Sequence, residues 1–125
     1  MKLTSLVCLV LVLAACGQAF APAPVVEFAT PESVATAYFN AKIAGDKQAV
    51  QNTFSRSTPP AFDMAEGVDP PAGEASGYKS FRLLTNTPGT VDTEVTFNDG
   101  TKANRRLFVQ KEGENYRISN YVWIP

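Results

Sequence analysis

Apolar positions recur with helical spacing over residues 30–54, after a run rich in Ala and Pro. Thr30 is a good capping residue, Pro31 suits the first helical position because its missing N–H would be unpaired there, and Glu32 favours the positive end of the helix dipole. These signals predict a helix that ends at Gly45 and a second, shorter helix capped by Asp46. The expected apolar positions of the two helices are Val34, Ala35, Tyr38, Phe39, Ala41, Ile43, Ala49, Val50 and Phe54.

From Tyr78 onward the apolar period changes to two, which is typical of strands. Four strands are expected, over residues 78–85, 90–98, 101–111 and 115–123. Each is separated from the next by a short turn that contains Gly. Because such short turns join antiparallel neighbours, the sequence predicts a four-stranded antiparallel meander.

The turn Asn98-Asp99-Gly100 predicts a register for the middle hairpin. With Gly100 left-handed in a three-residue loop, one face of the hairpin becomes mostly apolar and the other polar. The expected pairs are Phe97–Thr101, Val95–Ala103, Thr93–Arg105 and Val91–Leu107 on the first face, and Asp92–Arg106 and Glu94–Asn104 on the second. A two-residue loop would mix the faces, so the first register is preferred.

Residues 55–77 connect the predicted helices to the predicted strands, and they hold four of the nine prolines of the chain. Their isolated apolar residues predict no long element, although residues 60–66 suit a short turn of helix. A connection of this length is either a lid over a functional site or a flexible crossover to the sheet. Both interpretations stay open.

Residues 1–15 are typical of a secretory signal peptide. Lys2 supplies a positive start, and the apolar run 6–15 would rise only about 15 Å as a helix, half of a roughly 30 Å hydrocarbon core. The motif Leu13-Ala14-Ala15-Cys16 resembles the bacterial lipobox. The resemblance implies cleavage before Cys16 and acylation of its sulfur and its new amino terminus. The alternative is an ordinary signal with a chance cysteine.

The lipobox resemblance also implies a location. Several acyl chains on Cys16 would hold the protein on a membrane, because each buried methylene contributes about 0.8 kcal/mol. Residues 16–29 are predicted to form a flexible tether that reaches at most about 45 Å, and residues 30–125 to form one α+β domain. Gly17 is not the aspartate that retains enterobacterial lipoproteins on the inner membrane. The expected location is therefore the outer membrane, facing the periplasm or the cell surface.

Composition argues against several kinds of chemistry. The chain has no His and two Cys, of which Cys8 would leave with the signal and Cys16 would be acylated. No disulfide, zinc hydrolase site or His-dependent triad is therefore expected. A balance of 11 basic against 12 acidic residues does not suit nucleic-acid binding. Neither a metal nor a cofactor is expected.

Three features of the chain are the motif Thr-Pro-Glu-Ser-Val-Ala at 30–35, the hinge Ala-Gly-Asp at 44–46 and a meander that includes 111–120. Together they resemble small bacterial lipoprotein domains of the nuclear transport factor two-like (cystatin-like) superfamily, including lumazine-binding-like and uncharacterised members. The resemblance covers residues 30–122. It implies N-terminal helices packed on a curved four-stranded sheet, as a cone with a pocket at its open end. Members include enzymes, ligand binders and interaction modules, so the fold does not decide the function.

Arg105 is a charged residue on the predicted apolar face of the sheet. A desolvated guanidinium needs a carboxylate or a ligand anion. Arg105 could therefore clamp an acidic ligand in the cone, or its stem could pack while its head reaches the rim or pairs with an acidic loop residue. Tyr121 and Trp123, predicted on the same face as Arg117, would form an exposed strip for a partner or would cover a helix or loop.

Asp63 and Glu66, in the long connection, are the acids expected to overhang a pocket, with Tyr38 as a proton donor opposite them. They support, as an alternative, a small lyase or isomerase-type enzyme. Because no catalytic motif is present, the favoured hypothesis is a non-catalytic, membrane-anchored envelope lipoprotein. It would bind a small ligand or an envelope protein through Arg105, Tyr38, Asp63 and Glu66, and a homodimer through the sheet is a further hypothesis.

Overall fold

Two helices precede a four-stranded sheet in the computed structural model, which describes residues 26–58 and 69–125. The elements are α1 (Pro31–Ala44), α2 (Lys47–Asn52), a 3₁₀ helix (Ala72–Ser76), β1 (Tyr78–Thr87), β2 (Thr90–Phe97), β3 (Lys102–Glu112) and β4 (Asn115–Ile124). The predicted α+β class and antiparallel meander are confirmed, with strand order β1-β2-β3-β4. The predicted signal peptide, most of the predicted tether and the turn of helix at 60–66 lie outside the described residues.

The boundary between the two helices follows from local capping. The Thr30 hydroxyl accepts a hydrogen bond from the Ser33 amide at 3.1 Å, and the Ser33 hydroxyl accepts one from the Thr30 amide at 3.1 Å, so α1 begins with reciprocal caps. Gly45 ends α1 with a φ of 70°, a left-handed conformation that residues with side chains rarely adopt. The Asp46 carboxylate then accepts from the Ala49 amide at 3.0 Å and starts α2, as predicted.

Two predicted helical positions differ from the structure. The buried part of α1 ends at Ala41, so Ile43, one turn beyond Phe39, lies past the packed stretch and is 39% exposed. Phe54 lies after the end of α2, in an extended segment that forms a parallel bridge with Ile118 of β4. Phe54 nevertheless packs against the core. Backbone pairing with the sheet, rather than helix formation, therefore positions its ring.

The middle hairpin has the predicted register. Gly100 has a φ of 87°, and Thr93 pairs with Arg105 across the two strands. On the opposite face, the Arg106 guanidinium donates two hydrogen bonds to the Asp92 carboxylate, at 2.7 and 2.8 Å. Every second residue of β2 is buried. The alternation of apolar and polar residues was therefore sufficient to predict which face of this hairpin meets the helices.

β4 carries one residue, Ser119, more than the stretch of β3 across from it. Such a bulge shifts the alternation of side chains along the strand. Counted back from Tyr121 and Trp123, the apolar face therefore continues at Ile118, which is fully buried, and not at Arg117. The prediction that Arg117 lies on the face of Tyr121 and Trp123 is wrong for this reason.

The core lies between α1 and one face of the sheet. Its buried apolar residues form one cluster of Phe28, Val34, Ala35, Tyr38, Phe39, Tyr78, Val91, Val95, Phe97, Leu107, Val109, Ile118 and Trp123. Burial of each larger side chain in this cluster contributes about 1.5–3 kcal/mol. Because Arg105 belongs to the same face, the fold places one guanidinium inside this apolar layer.

Candidate functional site

Arg105 is 5% exposed and lies between aromatic rings. Its guanidinium carbon is 4.3 Å from the ring centroid of Tyr121 and 4.3 Å from that of Trp123, both on β4. A cation at this distance from a ring face is attracted by the ring quadrupole, and more strongly when water is excluded. Tyr121 in turn stacks with Phe54, with centroids 5.8 Å apart and planes at 23°. The four side chains form a continuous cation–aromatic cluster.

The charge of Arg105 is paired with a carboxylate of the long connection, residues 55–77. Its Nη1 lies 3.3 Å from Glu74 Oε2 and donates to the Tyr78 hydroxyl at 3.0 Å, while that hydroxyl donates to Glu74 at 2.9 Å. Burial raises the pKa of Tyr78 despite the nearby Arg105 charge, so this phenol stays protonated and can donate. Arg105 Nε is buried and has no hydrogen-bond partner among the described residues. The guanidinium therefore pairs with an acidic loop residue, the second of the two outcomes considered for it.

Gly73 determines how closely Glu74 approaches the sheet. The 3₁₀ helix lies against the β2–β3 turn so tightly that a Cβ at Gly73 would come within 2.9 Å of both Asp99 Oδ1 and Phe97 Cδ2, and closer still to the Thr101 hydroxyl. Phe97 is fully buried and has little room to move. The absence of a side chain at Gly73 thus lets the next residue reach Arg105.

A pocket of about 470 Å³ lies between the helices and β4. Its volume is within the range of about 300–1,000 Å³ that is usual for small-molecule sites. The residues that line it are Tyr38, Ala41, Lys42, Gly45, Asp46, Lys47, Val50, Gln51, Phe54 and Tyr121. The aromatic members come from α1, from the segment after α2 and from β4. Helix packing and strand register therefore assemble the wall together.

Tyr38 provides a polar group in this wall. It is 2% exposed, its ring lies 6.2 Å from those of Phe54 and Tyr121, and its hydroxyl makes no hydrogen bond to any described residue. Burial raises the pKa of Tyr38 to about 12, although the charge of Arg105 acts in the opposite direction. At neutral pH the phenol is therefore protonated and can act as a hydrogen-bond donor.

Lys42 lies one turn after Tyr38 on α1 and also lines the pocket. Its Nζ is 5.0 Å from the ring centroid of Tyr78. Burial lowers the pKa of Lys42, the positive charge of Arg105 lowers it further, and Glu74 opposes both. The ammonium is thus held in a partly desolvated position beside another cation, where an added anion would be favourable.

Two of the four ligand-contact candidates named from the sequence fall within the described residues. Tyr38 lines the pocket, while Arg105 is not among the lining residues but touches Tyr121, which is. Asp63 and Glu66 lie outside the described residues, so the catalytic hypothesis built on them stays a prediction. Trp123 is buried and Tyr121 partly so, which means that the last strand covers the interior and presents no exposed aromatic strip at these two positions.

Sequence reasoning missed Lys42, Tyr78 and Glu74 as members of this region. The signal for Lys42 was present, because a residue four positions after Tyr38 shares its side of a helix. The sequence pattern identifies Tyr78 only as the first residue of a strand. For Glu74 no local pattern could have pointed to Arg105, since 31 residues separate the two in the chain.

Within residues 26–58 and 69–125, no three His, Cys, Asp or Glu side chains come together as metal ligands would. No helix in the same residues has both the length and the apolar character that crossing a bilayer requires.

Comparisons with protein-family models, with curated proteins and with solved structures found no match to this chain.

Proposed function

We propose that the protein is a lipid-anchored lipoprotein of a bacterial envelope, and that its α+β domain binds a small molecule without transforming it. The observation that carries the binding half is the pocket of about 470 Å³ walled by Tyr38, Phe54 and Tyr121. Apolar, aromatic walls with a few polar groups are the usual composition of small-molecule sites. Among the described residues that line the pocket, the one carboxylate is that of Asp46, which is engaged as a helix cap.

The anchoring half of the proposal rests on the lipobox-like motif that ends at Cys16 and on the Pro-rich segment that follows it. An acylated cysteine would make the membrane the first partner of the protein, and the outer membrane follows from Gly17 by the enterobacterial sorting rule. Because Phe28 is packed in the core, the free tether would end before it and would hold the near end of the domain within about 40 Å of the bilayer, at about 3.3 Å per residue. The ligand would then be met close to the membrane.

We also propose that the domain is a member of the nuclear transport factor two-like superfamily. Two successive helices, a four-stranded meander and a bulged last strand support this membership. A homodimer through the outer face of the sheet is a further proposal from the same resemblance.

The binding half is tested by native mass spectrometry of the lipidated chain, extracted gently from bacterial membranes in a mild detergent. We expect an adduct that dissociates on collisional activation. Val50→Trp, which places an indole in the pocket wall, should abolish the adduct. The matched control Leu84→Trp, on an exposed position of β1, should retain it. A wild-type chain without adduct, or an adduct undiminished in folded Val50→Trp, would contradict the proposal.

The anchoring half is tested by metabolic labelling with a palmitate analogue and by membrane fractionation. Cys16→Ser should lose the label completely. Cys8→Ser, within the apolar run 6–15, should keep both the label and the membrane association, since only Cys16 occupies the lipobox position. Label that persists in Cys16→Ser would show that the cysteine is not the acylated residue.

A further inference from the structure

The described charges around the pocket are predominantly positive. Lys42 and Lys47 belong to its lining, and Arg105 lies against the Tyr121 ring. Two described carboxylates lie nearby: Asp46, which accepts from a helix amide and is exposed to solvent, and Glu74, which is bound by Arg105 and by a tyrosine hydroxyl. An anion in the pocket would therefore meet cations without displacing an existing ion pair.

Lys42 is the cation best placed to meet such an anion. It is half-buried and belongs to the lining, its ammonium lies over the Tyr78 ring at 5.0 Å from the centroid, and it forms no ion pair with a described carboxylate. Partial desolvation strengthens the attraction of an ammonium for an anion. Lys47, which is exposed on the rim, is screened by water and contributes less.

The aromatic wall of the pocket indicates which kind of molecule should carry the negative charge. Phe54 and Tyr121 are stacked within 23° of parallel, and Tyr38 is tilted by 36° from Tyr121. Arg105 already lies over the Tyr121 ring, whereas Phe54 is partly exposed, so a planar ligand laid on Phe54 would extend the existing stack by a further offset aromatic pair.

We infer that the pocket binds a planar aromatic anion, with its rings against Phe54 and Tyr121 and its carboxylate or similar group paired with Lys42. This inference rests on the proposed function and names the chemical class of the ligand. It also assigns the role of anion partner to Lys42 instead of Arg105, whose charge Glu74 already meets.

The test compares two probes that share a ring system and differ in charge. 2-Naphthoate is a planar anion, and 2-naphthamide is its neutral analogue. Isothermal titration calorimetry of each probe is performed on the full lipidated chain in phosphatidylcholine nanodiscs, and the heat from empty nanodiscs is subtracted. We expect 2-naphthoate to bind at least fivefold more tightly than 2-naphthamide.

Three variants locate the charge and the site. Lys42→Met, which keeps the apolar stem, should weaken 2-naphthoate five- to tenfold and change 2-naphthamide less than twofold. Lys79→Met, which removes an exposed lysine of β1 outside the lining, should change neither. Val50→Trp should abolish binding of both probes, with circular dichroism as the check that it folds.

The outcomes separate the inference from the proposed function. Equal affinities of the two probes, or no effect of Lys42→Met, would overturn the anionic preference while leaving a pocket that binds small molecules. If neither probe binds but the native adduct is still lost in Val50→Trp, the planar aromatic class is wrong and the proposed function stands. If Val50→Trp leaves 2-naphthoate binding unchanged, the site lies elsewhere and both fail.

Discussion

Glu112, at the end of β3, ties the segment after α2 to the sheet. Its carboxylate accepts hydrogen bonds from the Arg56 amide at 3.1 Å, the Ser57 hydroxyl at 3.0 Å, the Gln110 side-chain amide at 2.7 Å and the Ser55 hydroxyl. Burial by itself would raise the pKa of Glu112, but these donors favour the ionised form and lower the pKa to about 2. The ionised carboxylate is therefore part of what stabilises this end of the fold.

We expect Glu112→Gln to lower the free energy of unfolding at pH 7 by about 2 kcal/mol. A carboxyl whose pKa falls from 4.5 to about 2 on folding contributes at most about 3.5 kcal/mol, at about 1.4 kcal/mol for each tenfold change in the protonation equilibrium. Because Glu112 is partly exposed, solvent screening reduces this contribution. The loss at pH 7 is then a little over half of the maximum.

The pH dependence distinguishes the charge from mere packing. A carboxyl with a lowered pKa stabilises the fold above the ordinary value near 4.5, and this stabilisation disappears as the pH falls towards 2. The difference between wild type and Glu112→Gln should therefore shrink from about 2 kcal/mol at pH 7 to near zero at pH 2. Urea unfolding at pH 7, 5, 3 and 2, followed by far-UV circular dichroism, measures it.

Glu114→Gln is the matched control, since Glu114 is exposed in the turn that follows Glu112. We expect this control to lie within about 0.5 kcal/mol of wild type at every pH. A Glu112→Gln deficit that stays constant from pH 7 to pH 2 would refute the role assigned to the carboxylate charge. Equal stability of Glu112→Gln and wild type at pH 7 would refute the hydrogen-bond network as a source of stability.

Three further predictions concern the core and the site. Leu107→Ala, at a fully buried position, should cost about 2–5 kcal/mol in urea unfolding, whereas Leu84→Ala, at an exposed one, should cost less than about 1 kcal/mol. Glu74→Gln should cost about 2 kcal/mol by the same assay, because it leaves the buried Arg105 guanidinium without its counter-ion; a neutral result would contradict the importance of that pair. Binding of 2-naphthoate should weaken as the pH rises, and the loss should begin below the pKa near 10.4 of an ordinary lysine. The reason is that burial and the charge of Arg105 lower the pKa of Lys42, although Glu74 opposes them, and the Tyr78 ring that faces its ammonium is uncharged. Binding that is unchanged up to pH 10.5 would contradict this.

Local sequence patterns were sufficient to predict the helices, the strands and much of the strand register. Capping by Thr30 and Asp46, the left-handed Gly45 and the period of two after Tyr78 all depend on neighbours in the chain. Hairpin turns then determine which strands pair, because a short turn leaves few registers that keep the apolar residues on one face. For the same reason the sequence alone places Arg105 on the apolar face.

The positions of side chains that depend on contacts between distant parts of the chain could not be predicted from local patterns. The bulge at Ser119 reverses the facing of Arg117, and a single inserted residue leaves no mark in a pattern of alternation that is already irregular. The partner of Arg105 was open because several acids of the connection were equivalent in sequence, and only the close approach at Gly73 brings Glu74 within 3.3 Å.

The pocket likewise is a product of packing. Lys42 and Tyr121 are each part of a regular element, but their distance across the cavity depends on how the helices lie on the sheet. Helices, turns and strand alternation depend on chain connectivity and on hydrogen bonds between neighbouring residues, so they can be predicted from the sequence. Burial, ion pairing and cavity shape depend on distances between elements, and only the packed fold determines those distances.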